Sequence, residues 1–212
     1  MYSKINIYSY LLKIRWNYYI IYSGQINKGN NLSMIFEKYI NRFLDKFNYN
    51  KKRVHQIDTD RYYMKLALNS SLLSNDPNTK IGSLILNETT KVILSIGYNS
   101  IPNGCNNNIE QFPERFDRDK NKYKYFSHAE EAAICICAKN GIKTEGSTIY
   151  ITQPCCSPCS RMIINSGIKR VVIYNNDIEN KDFKFRWKDD IEISKILFKE
   201  AGITVTYINK LY

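Results

Sequence analysis

At 212 residues, 43% of them hydrophobic, the chain is long enough for one domain of ordinary size with something added, and it can bury a core. No stretch approaches the roughly 20 apolar residues that span a bilayer, and the aromatic run 16–22 lacks the small-residue cleavage site of a signal peptide, so a membrane is not an expected partner. The net charge of +11 is unevenly placed: residues 1–54 hold ten Lys and Arg against Glu37 and Asp45, a net +8, and the other 21 basic and 18 acidic residues leave only +3. That distribution disfavours a broad nucleic-acid-binding face on the main body.

Residues 1–33 mix Tyr, Ile and Asn without a sustained period, and Gly29-Asn30-Asn31 reads as a loop. Residues 34–47 space Ile35, Tyr39, Ile40, Phe43, Leu44 and Phe47 as a helix would, and the polar run 48–53 reads as a linker. The expected division is therefore a basic extension and linker over 1–56 and a main domain over 57–212. The main domain opens with a helix over 60–73 that faces Tyr63, Leu66, Ala67, Leu72 and Leu73 to a core and ends at the turn Asp76-Pro77-Asn78.

Two short β-rich runs follow, 81–86 and 92–96, joined by Asn87-Glu88-Thr89-Thr90 as a hairpin. A loop containing Asn99, Pro102, Gly104 and three consecutive Asn leads into a charged segment that ends near Lys124. A helix over 128–139 stops at Asn140-Gly141; strand 147–152, helix 156–166, strand 168–174, helix 187–200 and strand 203–208 complete the chain. Hairpin strands followed by alternating helix and strand predict an α/β layer protein with a mixed sheet.

The chemistry concentrates in His128-Ala129-Glu130 and, about two dozen residues later, Pro154-Cys155-Cys156-Ser157-Pro158-Cys159. One imidazole and a Cys-x-x-Cys pair fill three corners of a tetrahedral zinc site and leave the fourth for water, as a catalytic zinc requires. Glu130, two residues from the histidine, is the candidate acid/base. The chain has two histidines, and the other, His55, falls in the linker. Cys156 and Cys159 open one predicted helix and His128 and Glu130 another, and a helix start favours thiolates. Cys155 leaves an alternative pair, Cys155 and Cys159, although the i, i+3 spacing of Cys156 and Cys159 makes the tighter chelate. A redox Cys-x-x-Cys would leave His128 and Glu130 without a role. Of six cysteines, two lie in an apolar helical run and three crowd this motif, so a reduced, intracellular chain is expected rather than a disulfide framework.

Four further stretches follow in order: Ser74-Asn75-Asp76-Pro77-Asn78-Thr79-Lys80-Ile81-Gly82; Gly97-Tyr98-Asn99-Ser100-Ile101-Pro102-Asn103-Gly104-Cys105; Lys122-Tyr123-Lys124-Tyr125 running into His128; and the tail from Ser166 to Val172 with Glu200-Ala201-Gly202-Ile203. Together they resemble the deoxycytidylate (dCMP) deaminase family of the cytidine/deoxycytidylate deaminase superfamily. The resemblance covers roughly residues 58–208. It implies a three-layer α/β/α fold on a mixed five-stranded sheet and zinc-dependent conversion of dCMP to dUMP and ammonia, supplying dUMP for dTTP synthesis. It assigns His128, Cys156 and Cys159 to the zinc, Glu130 to proton transfer and Asn99 to the nucleoside. It also implies a cytoplasmic homo-oligomer, often a hexamer in this family, and nucleotide effectors. The chain departs from the family pattern at Leu73, Ser100, Ala132 and Cys155, none of which removes a ligand or the acid/base.

Two other readings stand beside this one. A deaminase acting on cytosine or adenine in RNA or single-stranded DNA would use the basic extension for phosphate contacts. A non-catalytic zinc module would have no use for Glu130. The basic residues of 114–124 (Arg115, Arg118, Lys120, Lys122, Lys124) lie just before the site, where they either face water or meet a 5′-phosphate.

Overall fold

The computed structural model describes residues 58–175 and 181–211, with Lys38 and Arg42. The chain divides into two units, Met1–Val54 and His55–Tyr212, and the second holds every strand among the described residues. Of the helix expected over 34–47 only Lys38 and Arg42 are described, both helical, and the linker lies outside the described residues.

Five strands make one sheet in the order β2-β1-β3-β4-β5: β1 Gly82–Leu86, β2 Ile93–Tyr98, β3 Thr148–Ile151, β4 Arg170–Tyr174 and β5 Thr204–Ile208. β1 pairs antiparallel with β2 and β3, while β3, β4 and β5 run parallel, so the sheet is mixed as expected. The two pairing modes follow from the connections. The short turn 87–92 can only return the chain antiparallel, whereas the helices after β3 and β4 carry it back for parallel pairing.

Six helices flank the sheet among the described residues: α1 over 58–71, α2 Lys122–Tyr125, α3 Ala129–Lys139, α4 Ser157–Asn165, α5 Lys181–Arg186 and α6 Lys188–Glu200. The alternation of each strand assigns two faces. Leu84, Leu86, Tyr150 and Val172 turn to one side, where they meet Met64 and Ala67 of α1. Ile85, Ile149, Ile151, Val171 and Ile173 turn to the other, where α3 contributes Ala133 and Cys137, α4 Cys159 and Ile163, and α6 Phe198. The register puts Ile85, Ile149 and Val171 in one row and Leu84, Tyr150 and Val172 in the next, so each row fills one core. Helix, sheet and helix are the three layers.

Two close approaches fix the helices against the sheet. A Cβ on Gly97 would stand 2.1 Å from Ala129 O, and one on Gly82 would stand 1.9 Å from Ala67 O, so only glycine admits α3 and α1 at these distances. Ser83 Oγ and Ser95 Oγ donate to Ala129 O at 2.7 Å and Ala133 O at 2.9 Å, tying β1 and β2 to the first turns of α3. On the other face, Asp60 of α1 accepts from Tyr150 Oη at 2.9 Å and pairs through both carboxylate oxygens with Arg170.

Local differences from the sequence reading have simple causes. Helix α1 stops at residue 71 rather than 73, because Ser70 and Ser71 turn their hydroxyls back on Ala67 O and Leu68 O and compete with further helical bonds. The charged segment contains a 3₁₀ turn, Pro113–Arg115, and the short α2, neither of which has an apolar period of its own. Helix α5 is likewise additional to the expected set.

Candidate active site

Two helix starts face one another. His128 is the N-cap of α3 and Cys156 the N-cap of α4, both extended, with Glu130 and Cys159 inside the respective first turns. His128 Nδ1 lies 3.3 Å from Cys156 Sγ and 3.4 Å from Cys159 Sγ, and all three donor atoms fall within 4.8 Å of one another. Zinc–nitrogen and zinc–sulfur bonds of about 2.0 and 2.3 Å at a tetrahedral angle would separate N and S by about 3.5 Å. The spacing, the two buried sulfur donors and the half-buried imidazole therefore fit a zinc ion with one coordination position left over.

Although its thiol neighbours that of Cys159, Cys155 is not one of the three converging donors. Its thiol points to Cys156 O at 3.4 Å, its carbonyl lies 2.9 Å from Ser194 Oγ, and its side chain joins the core behind α4. Burial pushes the Cys155 thiol up to about 12. Without metal the cluster holds its protons. The Cys156 thiol is raised first by its hydrogen bond with Cys159 and then by burial, and the Cys159 thiol is raised first by Cys155. The Cys156 sulfur as partner brings His128 up to about 9. In the metal-free cluster burial and sulfur–sulfur hydrogen bonding raise the thiols against the pull of the helix start, and a cation has to displace the protons.

Glu130 is 4% exposed and lines the same cavity as His128 and Cys156. Its charge acts on the imidazole and on all three thiols, which places the carboxylate beside the cluster. Glu131, one residue on, is used differently: its Oε2 accepts the His128 backbone N–H at 3.2 Å and so caps α3.

Asn99 also lines the cavity, carried there by the end of β2 and by the paired backbone bonds between Ser100 and Ser127, at 3.1 and 2.8 Å. Its amide Nδ2 donates to Asp76 Oδ2 at 2.8 Å and to Thr79 O at 2.9 Å, and its Oδ1 accepts from Ile81 N at 2.7 Å. Asn99 does not adopt the left-handed backbone of a turn asparagine. It pins the loop 76–81 instead, keeping one lone pair of Oδ1 for another donor.

Of the basic residues in 114–124, only Lys122 is fully buried. Its Nζ lies 2.6 Å from Asp76 Oδ2, with 3% and 1% of the two side chains exposed, and it lines the cavity while Arg118, Lys120 and Lys124 face solvent. Sequence reasoning named Asp76 only within a motif and Lys122 within a motif and among five basic residues that face water or meet a 5′-phosphate, because nothing in a local pattern says that residues 46 apart will pair. The far wall was missed altogether. Trp187 stands edge-on to His128 with ring centres 6.0 Å apart and edge-on to Tyr123 at 5.4 Å, and Arg186 Nη1 donates to Tyr123 Oη at 3.0 Å. Its signal was the aromatic and basic run Phe183 to Trp187, which carries no helical period.

A His/Cys/Cys donor set with buried thiols and a half-buried imidazole on two convergent helix starts, with a buried carboxylate beside it and a mixed sheet behind, defines a zinc-binding enzyme of the nucleobase-deaminase class. Comparison with known proteins agrees. The family model for the cytidine and deoxycytidylate deaminase zinc-binding region matches residues 57–175. The deoxycytidylate deaminases of Homo sapiens and Pongo abelii are 32% and 34% identical over 155 and 157 residues, covering 73% of this chain and 82% of each relative. The dCMP deaminase of cyanophage S-TIM5, solved in complex with dCMP and dUMP, superposes with a TM-score of 0.55 at 28% identity, covering 69% of this chain and 94% of the phage protein. The chain belongs to the cytidine and deoxycytidylate deaminase family.

Proposed function

We propose that this protein hydrolyses dCMP to dUMP and ammonia, with His128, Cys156 and Cys159 holding zinc and Glu130 carrying the protons. The observation that supports this most directly is the convergence of His128 Nδ1, Cys156 Sγ and Cys159 Sγ within 4.8 Å, on the wall of a cavity that also contains Glu130. Bound there, zinc supplies a Lewis acid that makes water a nucleophile near neutral pH. Glu130 takes one proton from the water that attacks C4 of the cytosine and passes it to N3, then carries the proton of the new C4 hydroxyl to the amino nitrogen; the C4–N bond breaks as the C4 carbonyl forms, and dCMP and water become dUMP and ammonia. A buried carboxylate suits this work, since its surroundings hold it in place and exclude competing water.

The choice of dCMP rests on the named relatives and on the cavity wall. The deoxycytidylate deaminases span most of this chain at 32–34% identity. The wall carries the cationic Arg186, suited to a phosphorylated substrate, while the charge of Lys122 is matched by Asp76, and Asn99 meets the sugar through the remaining lone pair of Oδ1. Trp187 and Phe183, ring centres 6.0 Å apart, form an apolar side for the base. In this reading residues 57–212 are the catalytic domain and 1–56 an appendage, and the enzyme works as a cytoplasmic homo-oligomer. No helix among the described residues is long and apolar enough to cross a membrane.

A side-by-side assay of dCMP, dCTP, cytidine and a cytosine-containing oligonucleotide tests the reading. Turnover of dCMP well above the others is expected; turnover of the oligonucleotide alone would overturn it and restore the nucleic-acid reading.

A further inference from the structure

We propose that Asp190 and Ser194, on α6, are positioning residues that hold the Cys156–Cys159 loop in its zinc-binding conformation. This inference rests on the zinc reading of the cluster and on a gap in ordinary helix capping. The first N–H groups of a helix have no partner within it, and an N-cap Ser, Thr, Asp or Asn usually supplies one. Here the N-cap positions are taken by His128 and Cys156, whose side chains face one another, and the Cys156 thiol makes no capping bond to its own helix. Helix α3 solves the problem internally through Glu131. Helix α4 has no acidic residue in its first turn, and Pro158 removes only one of the donors.

The missing acceptor comes from another helix. Asp190 Oδ1 accepts from Ser157 N at 3.2 Å and from Ser157 Oγ at 2.5 Å, so its carboxylate caps α4 immediately after Cys156. One turn further along α6, the buried Ser194 Oγ lies 2.9 Å from Cys155 O and 3.0 Å from Asp190 O. The two contacts grip the backbone on either side of Cys156, on residues 155 and 157. The negative charge of Asp190 at the start of α4 adds a favourable interaction with the helix dipole. Both residues lie beyond residue 175, where the match to the family's zinc-binding region ends.

The experiment uses the full chain and reads zinc affinity by competition with a chromophoric chelator, with no substrate present. Asp190→Ala is expected to weaken zinc binding by about 10- to 100-fold, the usual effect of losing an outer partner of a ligand. Asp190→Asn keeps an acceptor oxygen of the same reach and should restore most of the affinity. A residue that merely packs would lower the melting midpoint of the zinc-free protein and leave zinc affinity as in the wild type, and that result overturns the proposal. Should Asp190→Ala fail to fold, Ser194→Ala, which releases the Cys155 carbonyl and a bond within α6 to Asp190 O but leaves the Asp190 carboxylate on Ser157, is expected to weaken zinc binding, and unchanged affinity there is equally fatal. A chain that binds zinc in this pattern and ignores dCMP would sink the proposed function and leave this inference intact.

Discussion

Lys122 Nζ lies 2.6 Å from Asp76 Oδ2 in a pair that solvent scarcely reaches. Asp76 is more than a counter-ion, since Asn78 N and Thr79 N donate to its Oδ1 and Asn99 Nδ2 to its Oδ2. One carboxylate thus ties the loop before β1, the end of β2 and the segment before His128 into a single wall of the cavity.

Removing either end strands a buried charge, which typically costs about 3–5 kcal/mol. Asp76→Ala and Lys122→Met are each expected to destabilise by about that amount in urea or thermal denaturation, and Asp76→Asn combined with Lys122→Met to recover part of the loss. Single losses below about 1 kcal/mol would mean that water reaches the pair and that it does not organise the wall.

Glu130→Gln keeps the size of the side chain and removes its ability to take up a proton. Deamination is expected to fall by at least the roughly 10²- to 10⁴-fold typical of general acid–base catalysis, with zinc content as in the wild type. An active variant would strip Glu130 of the role assigned to it; an inactive variant without zinc would make the residue part of the metal site instead.

The proton-bound cluster sets a pH dependence. Zinc has to displace protons from His128, raised to about 9, and from two thiols raised further still, so affinity should climb steeply with pH up to that range and fall as the solution is acidified. In the metal-free chain the sign is opposite for His128. Its folded value lies above the ordinary 6.5, so its contribution to stability is complete below 6.5 and is lost as pH rises through about 9. Chelator competition across this range, paired with melting of the zinc-free protein, reads both slopes. Zinc affinity independent of pH would contradict the protonated cluster.

Much of the fold and the metal site was legible in the sequence because it is local. The strands appear as short β-rich runs, and each observed strand falls within two residues of its expected bounds; Cys-x-x-Cys at a helix start and His-x-Glu at another carry their chemistry in their spacing. What was not legible depends on contacts between distant segments. That Gly97 admits α3, that Ser83 and Ser95 anchor it, and that Asp190 supplies the acceptor Cys156 cannot provide are facts of tertiary packing, written in residues with no distinctive neighbours. Asn99 shows the boundary between the two. Its place on the cavity wall was expected from a motif, yet its two Nδ2 hydrogens are committed to Asp76 and Thr79, which no motif reveals.

The most direct test of the central claim is to strip the purified protein of metal, confirm by elemental analysis that zinc is gone, and measure ammonia and dUMP release from dCMP before and after zinc is restored. The account predicts no turnover in the stripped protein and recovery on adding one equivalent of zinc, with recovery abolished in Cys156→Ala and Cys159→Ala. Full turnover by the stripped protein, or none by a chain with zinc restored, would contradict it.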